Sequence, residues 1–280
     1  MTGAPDVSGQ RRLRPLTEWP LAERAAIRGV LTDIDDTLSE HGQIAPAALQ
    51  ALFDLKAAGL QVIAITGRPI GLCWNYISGE QQKPWPVDAV VAENGALGWD
   101  CRHRPPVKCY QQTASERAEN RRRMQAVAQR VLREVPGAAL TGDGEWRETD
   151  LTFDHAELCT PDMTRTQRIV DILRAEGMQT SVSSIHIHGC FGDFDKWQGA
   201  NWIVQLLGGE DLHTALSRWV CIGDSGNDQP MFQHFQHSVG VANIRSCAHN
   251  LEYLPRFITQ AERGAGFAEM AQALLEARRA

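Results

Sequence analysis

Short apolar runs that stop at acids or small polar residues recur along the chain, with helical stripes between them. Gly29–Leu31, in RGVLTDIDDT, has no helix cap and ends toward Asp33, which predicts a short buried strand. Pro46 to Ala58 carries Leu49, Leu52, Phe53 and Leu55 at helical spacing. Pro46 suits a first helical turn and Gly59 the position just past the end. A second apolar run, LQVIAITGRP, ends at Thr66-Gly67, and a third, in VDAVVAENGA, ends at Glu93-Asn94-Gly95. Strand alternating with helix predicts a parallel sheet wound with crossovers.

After Gly98 the pattern changes. Ser115–Val135 reads as a long charged helix with Met124, Val127, Val131 and Leu132 on one stripe. Trp146–His155 alternates like a strand, Asp162–Glu176 carries Ile169, Ile172 and Leu173 at helical spacing, and Ser181–His188 alternates again. Helices beside strands with one apolar face predict a separate α+β module. The first rhythm then resumes: a helix over Trp197–Leu207, a strand in RWVCIGDSGND that ends in acids, and another in HSVGVAN. The predicted fold class is therefore α/β, a Rossmann-like three-layer core with a parallel sheet over 28–98 and 189–280. An α+β cap domain, 99–188, interrupts it. Residues 1–27 are polar and proline-containing until Leu21–Ile27, and are expected to form a loose leader outside the sheet.

Composition narrows the function classes. Apolar residues are 43% and charged residues 22% of 280, a globular balance rather than a disordered one. A net charge of −6 argues against a general binder of nucleic acid or of membrane surfaces, since both need positive fields. No apolar run approaches the roughly 18 residues of a membrane span. The opening MTGAPDVSGQRRLRPL has no apolar segment behind its charges, so no secretory signal is expected. Seven scattered cysteines (73, 101, 109, 159, 190, 221, 247) without a C-x-x-C pair predict reduced thiols, and with them a soluble, cytoplasmic protein. Nothing in the pattern specifies an oligomeric state.

Ligands of open α/β sheets bind beyond the carboxyl ends of the strands. There the first strand delivers Asp33, Asp35 and Asp36, the second Thr66-Gly67, and the strand after the cap Asp224, with Asn227 and Asp228 in the next turn. Lys196 opens a helix just past the cap. Clustered acids repel each other unless a cation joins them, and an all-oxygen site selects a hard ion such as Mg²⁺. A divalent ion, a lysine, a threonine hydroxyl and free backbone N–H groups make a dianion site of the kind phosphoryl transfer requires.

The order and spacing of these pieces resembles the haloacid dehalogenase superfamily of aspartate-nucleophile phosphohydrolases. DIDDTL (33–38), ITG at Thr66, Lys196 and GDSGND (223–228) match its four motifs in order. The resemblance implies that Asp33 is the nucleophile and that Asp35 first protonates the leaving oxygen and then deprotonates water. It implies Mg²⁺ held by Asp33, the Asp35 carbonyl and Asp224, with Asp228 in support through water. Thr66, Gly67, Lys196 and Asn227 would bind the phosphoryl group. Two positions depart from the family: Asp36 and Trp197 stand where glycine is usual. Only 33 positions separate Asp33 from Thr66, while 130 separate Thr66 from Lys196, so the cap fits only in the second interval. That placement is similar to subclass IIB, the branch of sucrose-phosphate, trehalose-phosphate and mannosyl-phosphoglycerate phosphatases. The implied activity is Mg²⁺-dependent hydrolysis of a small phosphate monoester, a sugar phosphate, through an aspartyl-phosphate.

Other readings stay open at this point. A sugar phosphomutase would use the same nucleophile, and a phospho-receiver also groups acids, Thr and Lys around one Asp. Receivers need neither a cap nor a second Asp two positions on. In the cap, Arg147, His186 and His188 are candidates for the substrate. Glu148, Asp150 and Asp154 are further candidates for sugar hydroxyls, and a wet sheet face explains all of these polar positions equally well. His186 and His188 share a strand face without a third ligand near them, which argues against zinc. Trp85, Trp99, Trp146, Trp197 and Trp202 are read first as packing residues and second as carbohydrate platforms.

Overall fold

A computed structural model describes residues 13–80, 83–155, 162–183 and 185–279. The first twelve residues of the expected leader and Cys159 lie outside the described residues. Among those described, nine strands form the main sheet. From edge to edge they are β1 (Arg14–Pro15), β14 (Phe257–Ile258), β13 (Ser238–Gly240), β12 (Trp219–Gly223), β2 (Gly29–Thr32), β5 (Gln61–Ile65), β6 (Ala89–Ala92), β7 (Leu97–Asp100) and β8 (Val107–Tyr110). Neighbours from β1 to β6 pair in parallel, and β7 and β8 continue the sheet antiparallel. The main sheet thus runs on past Gly98, to Tyr110.

The central strands are apolar throughout because both sheet faces are covered. Val30, Val62, Val90 and Val220 pack toward α2 (Pro46–Ala57), α3 (Ile70–Ile77) and α9 (Arg263–Arg279). Leu31, Ile63, Val91 and Cys221 pack toward α6 (Lys196–Gly208), α7 (Leu212–Ala215) and α8 (Gln229–His234) on the other face. Successive residues of each strand feed opposite layers, which is the period of two that makes a three-layer core.

The cap has its own sheet, ordered β10 (Gln179–Val182), β11 (His186–Cys190), β9 (Asp150–Asp154), all antiparallel. Phe153 and Ile187 from that sheet are buried with Met124, Val127 and Val131 of α4 (Ala114–Glu134) and with Ile169 and Leu173 of α5 (Met163–Ala175). A capping box starts α4: the Thr113 hydroxyl accepts from the Glu116 N–H, and the Glu116 carboxylate accepts from the Thr113 N–H.

Two expectations are corrected. Ser181–His188 is the end of one strand, a turn and the start of another, closed by Ser183 N–H donating to His186 O at 2.9 Å. Alternation persists through a tight hairpin and so hides the turn. Residues 13–27 are not loose. β1 extends the main sheet, α1 (Leu21–Ala25) follows it, and Trp19 stacks between His237 and Phe257 with ring centroids 5.5 and 5.4 Å away. Leu16 and Trp19 are both buried, but apolar residues scattered through a polar stretch give no readable period. The remaining small hairpin, β3 (Ser39–Glu40) with β4 (Gln43–Ile44), follows the DIDDT segment. Among the described residues no helix is long and apolar enough to cross a membrane.

Candidate active site

Four adjacent strands end in polar residues at one edge: β12 at Asp224, β2 at Asp33, β5 at Thr66 and β6 at Glu93. Since β2 lies between β12 and β5, chain connections depart to opposite sides of it and a crevice opens there. Asp33, Asp224 and Asp228, all buried, bring one carboxylate oxygen each within 4.8 Å of the others. Lys196, fully buried in the first turn of α6, joins two of them. Its Nζ donates to Asp33 Oδ1 at 2.5 Å and to Asp228 Oδ1 at 2.7 Å. Asp228 Oδ2 accepts the backbone N–H groups of Asp224 and Ser225 at 2.9 and 3.1 Å, so this carboxylate fastens the loop to the lysine.

One ammonium does not balance three buried carboxylates. Burial pushes Asp33 up to about 7 against the pull of Lys196. Burial, with Asp33 and Asp228 beside it, pushes Asp224 well above the ordinary carboxylate range. Burial would lower Lys196, but Asp228 and Asp33 hold it above its ordinary value. A divalent cation would supply the missing positive charge, and three carboxylates with no thiolate or imidazole among them suit Mg²⁺. The residues present fit that ion.

Asp35 stands apart from this triad. Arg68 Nε donates to its two oxygens at 2.9 and 2.8 Å, and Arg68 Nη2 donates to Oδ1 at 2.6 Å. Asp36 has φ +55°, the left-handed region that favours glycine and tolerates aspartate. Its carbonyl accepts from Asn243 Nδ2 at 3.0 Å, which helps hold the turn. Thr66 Oγ1 accepts the Arg68 N–H at 3.0 Å, which leaves the hydroxyl proton available to donate. Asn227 Nδ2 donates to Asn94 Oδ1 at 3.1 Å, and its own Oδ1 accepts from Ser225 Oγ at 3.0 Å.

The crevice continues into a cleft of about 340 Å³ between core and cap. Asp33, Asp35, Gly67, Arg68 and Asn227 line it from the core, and Trp146, His186 and His188 line it from the cap. Lys196 and Asp224 face a larger recess of about 860 Å³, which shares Ser225 and Asn227 with the first. His188 meets Asp150 Oδ2 at 2.9 Å through Nδ1, and burial lowers its proton affinity in spite of that carboxylate. The His186 ring lies 5.9 Å from it.

Arg147, expected to meet substrate, is turned inward. It pairs with Asp143 at 2.8 Å and Asp150 at 3.0 Å, and donates to the Gly67 carbonyl at 2.9 Å. A buried guanidinium needs partners on several sides, and these supply them. Glu148 is likewise committed, to Lys108 and Tyr110 at 2.7 Å each. Three residues of the site, Arg68, Glu93 and Asn94, have no role assigned by the sequence reading. Each lies inside a quoted strand-end segment, TGRP or ENGA, and that position was the available signal. Glu93 and Asn94 both have positive φ, at +50° and +54°, and the Asn94 Nδ2 is buried without a partner among the described residues.

The sequence model of the family described as sucrose-6F-phosphate phosphohydrolase matches residues 28–276. The chain belongs to that family. It is a subclass IIB sugar-phosphatase-like member of the haloacid dehalogenase superfamily. A search of curated protein sequences returns no match. Among solved structures, a Thermoplasma acidophilum protein is 18% identical with a TM-score of 0.66, covering 89% of this chain and 98% of its own. The sucrose-phosphatase of Synechocystis, solved with sucrose and phosphate, is 17% identical with a TM-score of 0.64, covering 88% and 97%. A subclass IIB sugar phosphatase is 14% identical with a TM-score of 0.57, covering 90% and 98%. At such identities the likeness establishes the fold.

Proposed function

We propose that this family member hydrolyses a sugar phosphate with Mg²⁺, through a phosphate ester formed on Asp33. The observation that carries the reading is the buried cluster of Lys196, Asp33, Asp224 and Asp228 beside a cleft that also holds Asp35. Lys196 occupies Asp33 Oδ1, so Oδ2 is the oxygen that attacks phosphorus. The bond to the sugar oxygen breaks, and Asp35 delivers the proton that oxygen needs. Asp35 then takes a proton from water, which attacks the phosphorus, releases inorganic phosphate and restores Asp33. Lys196, the Thr66 hydroxyl, the Gly67 N–H and Asn227 hold the phosphoryl oxygens. Asp33 and Asp224, with the carbonyl of Asp35 and Asp228 behind them, would hold Mg²⁺, whose contribution when bound is to neutralise charge on the transferring group.

The sucrose ligand of the Synechocystis relative and the family description favour a sugar phosphate, with sucrose-6F-phosphate first among candidates. The test is inorganic phosphate release from a panel of sugar phosphates and an aryl phosphate, with Mg²⁺ and with EDTA. Metal-dependent release with sugar phosphates ahead supports the reading. Phosphate passed to a second sugar hydroxyl makes the protein a mutase, and no turnover of any ester overturns the proposal.

A further inference from the structure

Most of the tryptophans read as packing residues lie in or against the core, but Trp146 stands outside it. Trp85 and Trp197 are buried, whereas Trp146 is 48% exposed and lines the same cleft as Asp33 and Asp35. An indole left half in water beside the Asp33 carboxylate belongs to none of the three core clusters.

Its mounting is rigid. Trp146 closes the short turn Gly144–Trp146, with its N–H donating to Asp143 O at 3.0 Å. The next residue is Arg147, locked by Asp143, Asp150 and the Gly67 carbonyl. On the core side the indole rests on Gly71 of α3, where a Cβ would lie 2.8 Å from its Cε3 and 3.1 Å from its own Cβ. A glycine at 71 is therefore what gives the ring its seat. Around the cleft stand Leu72, which is apolar, and Asp143 and His186, which are polar. A fixed aromatic face with hydrogen-bonding groups at its margin fits a ligand that has an apolar face and a polar rim. A pyranose or furanose ring has that form: C–H groups on its face and hydroxyls around its edge.

We propose that Trp146 is the platform on which the sugar ring of the substrate stacks, making it a specificity-determining residue of the cleft. This rests on the sugar-phosphatase reading above. The ring packs against the indole while its phosphoryl group reaches Asp33 in the same cavity, and the Asp143 and His186 margin meets its hydroxyls. An acyclic phosphate ester gains nothing from such a surface.

The readout is the ratio of kcat/KM for a hexose 6-phosphate to kcat/KM for glycerol phosphate, which share a primary alkoxide leaving group. In Trp146→Ala this ratio falls about tenfold, the scale of a lost aromatic contact, mainly through KM for the hexose ester. Trp146→Phe recovers most of it. Gly71→Ala, which forces the indole from its seat, lowers the ratio while leaving the ring in the chain. In parallel, unphosphorylated hexose changes the intrinsic fluorescence of the native protein and not that of Trp146→Phe. An unchanged ratio in Trp146→Ala overturns the proposal, as does an equal loss on both esters. If the native protein hydrolyses no phosphate ester, the sugar-phosphatase reading fails, and the fluorescence response then decides the platform by itself.

Discussion

Lys196 is the residue on which the site's charge balance turns. Its ammonium is the sole positive group hydrogen-bonded to Asp33 and to Asp228 among the described residues, and both carboxylates are buried, Asp228 completely. Lys196→Met therefore costs about 3–5 kcal/mol of folding stability, because the partners stay buried without their counter-charge. Urea unfolding in EDTA measures this, and a change below about 1 kcal/mol would show that the carboxylates simply take up protons. Asp35 makes a different prediction. Asp35→Asn removes a proton carrier and leaves the nucleophile, and such carriers contribute roughly 10²–10⁴-fold. An aryl phosphate has a leaving group that needs no proton, so this variant gives a burst of phenolate near one equivalent and then stalls with phosphate on Asp33. A uniform loss without a burst would assign Asp35 another role. Asp33, Lys196, Asp224 and Asp228 are legible in the sequence because each stands where a local pattern marks the end of an element. Arg147 is not, because the sequence does not show that Asp143 and Asp150, together with the Gly67 carbonyl 80 positions away, turn it inward.

Between elements, the position of Lys196 depends on a seam of two glycines. The first turn of α6 crosses the Glu93–Gly95 turn so closely that a Cβ on Gly199 would lie 2.5 Å from the Gly95 Cα. A Cβ on Gly95, whose φ is +121°, would lie 2.3 Å from the Asp195 carbonyl oxygen. Backbone faces backbone there, so neither side can rotate away. Gly199→Ala pushes the helix start outward and carries the ammonium with it. The expected result is a stability loss of about 1–3 kcal/mol and a fall in kcat on the order of 10²-fold, with KM less affected. Steady-state kinetics beside thermal unfolding separate the two effects, and normal kcat in a destabilised protein would show that the lysine does not follow the seam. Both glycines sit in stretches the sequence assigns to the right elements, yet a close crossing leaves no periodic trace. The same limit explains β1, whose partner β14 lies some 240 positions along the chain.

Across the molecule, one buried carboxylate gathers several of the contacts between core and cap. Glu93, at the end of β6, accepts the backbone N–H groups of Glu148 at 3.1 Å, Thr149 at 2.6 Å and Asp150 at 3.2 Å, as well as the Thr149 hydroxyl at 2.5 Å. Burial, with Asp150 repelling it, raises Glu93 to about 7 from an ordinary 4.5, against the pull of Thr149 and Arg147. The folded state then binds the extra proton between those two values, so stability falls as pH rises through that window. The integrated effect is roughly 3 kcal/mol. Urea midpoints at pH 5 and pH 8 should show a fall in the native protein that is smaller in Glu93→Gln, the remainder belonging to Asp33 and Asp224; equal falls in both would assign the titration elsewhere. The strand pairing has a further consequence, in the order of events during synthesis. β2 needs β12, which follows about 190 positions later, and β1 needs β14, whereas the cap clusters residues 124–191 around their own centre. Close pairings form faster than distant ones. The cap is thus ready to fold while β2 still lacks its neighbour β12 and the face of β2, β5 and β6 that α6–α8 cover is bare, the state that chaperones bind. Pulse-labelled hydrogen exchange during refolding should accordingly protect the amides of β9 and β11 before those of β2.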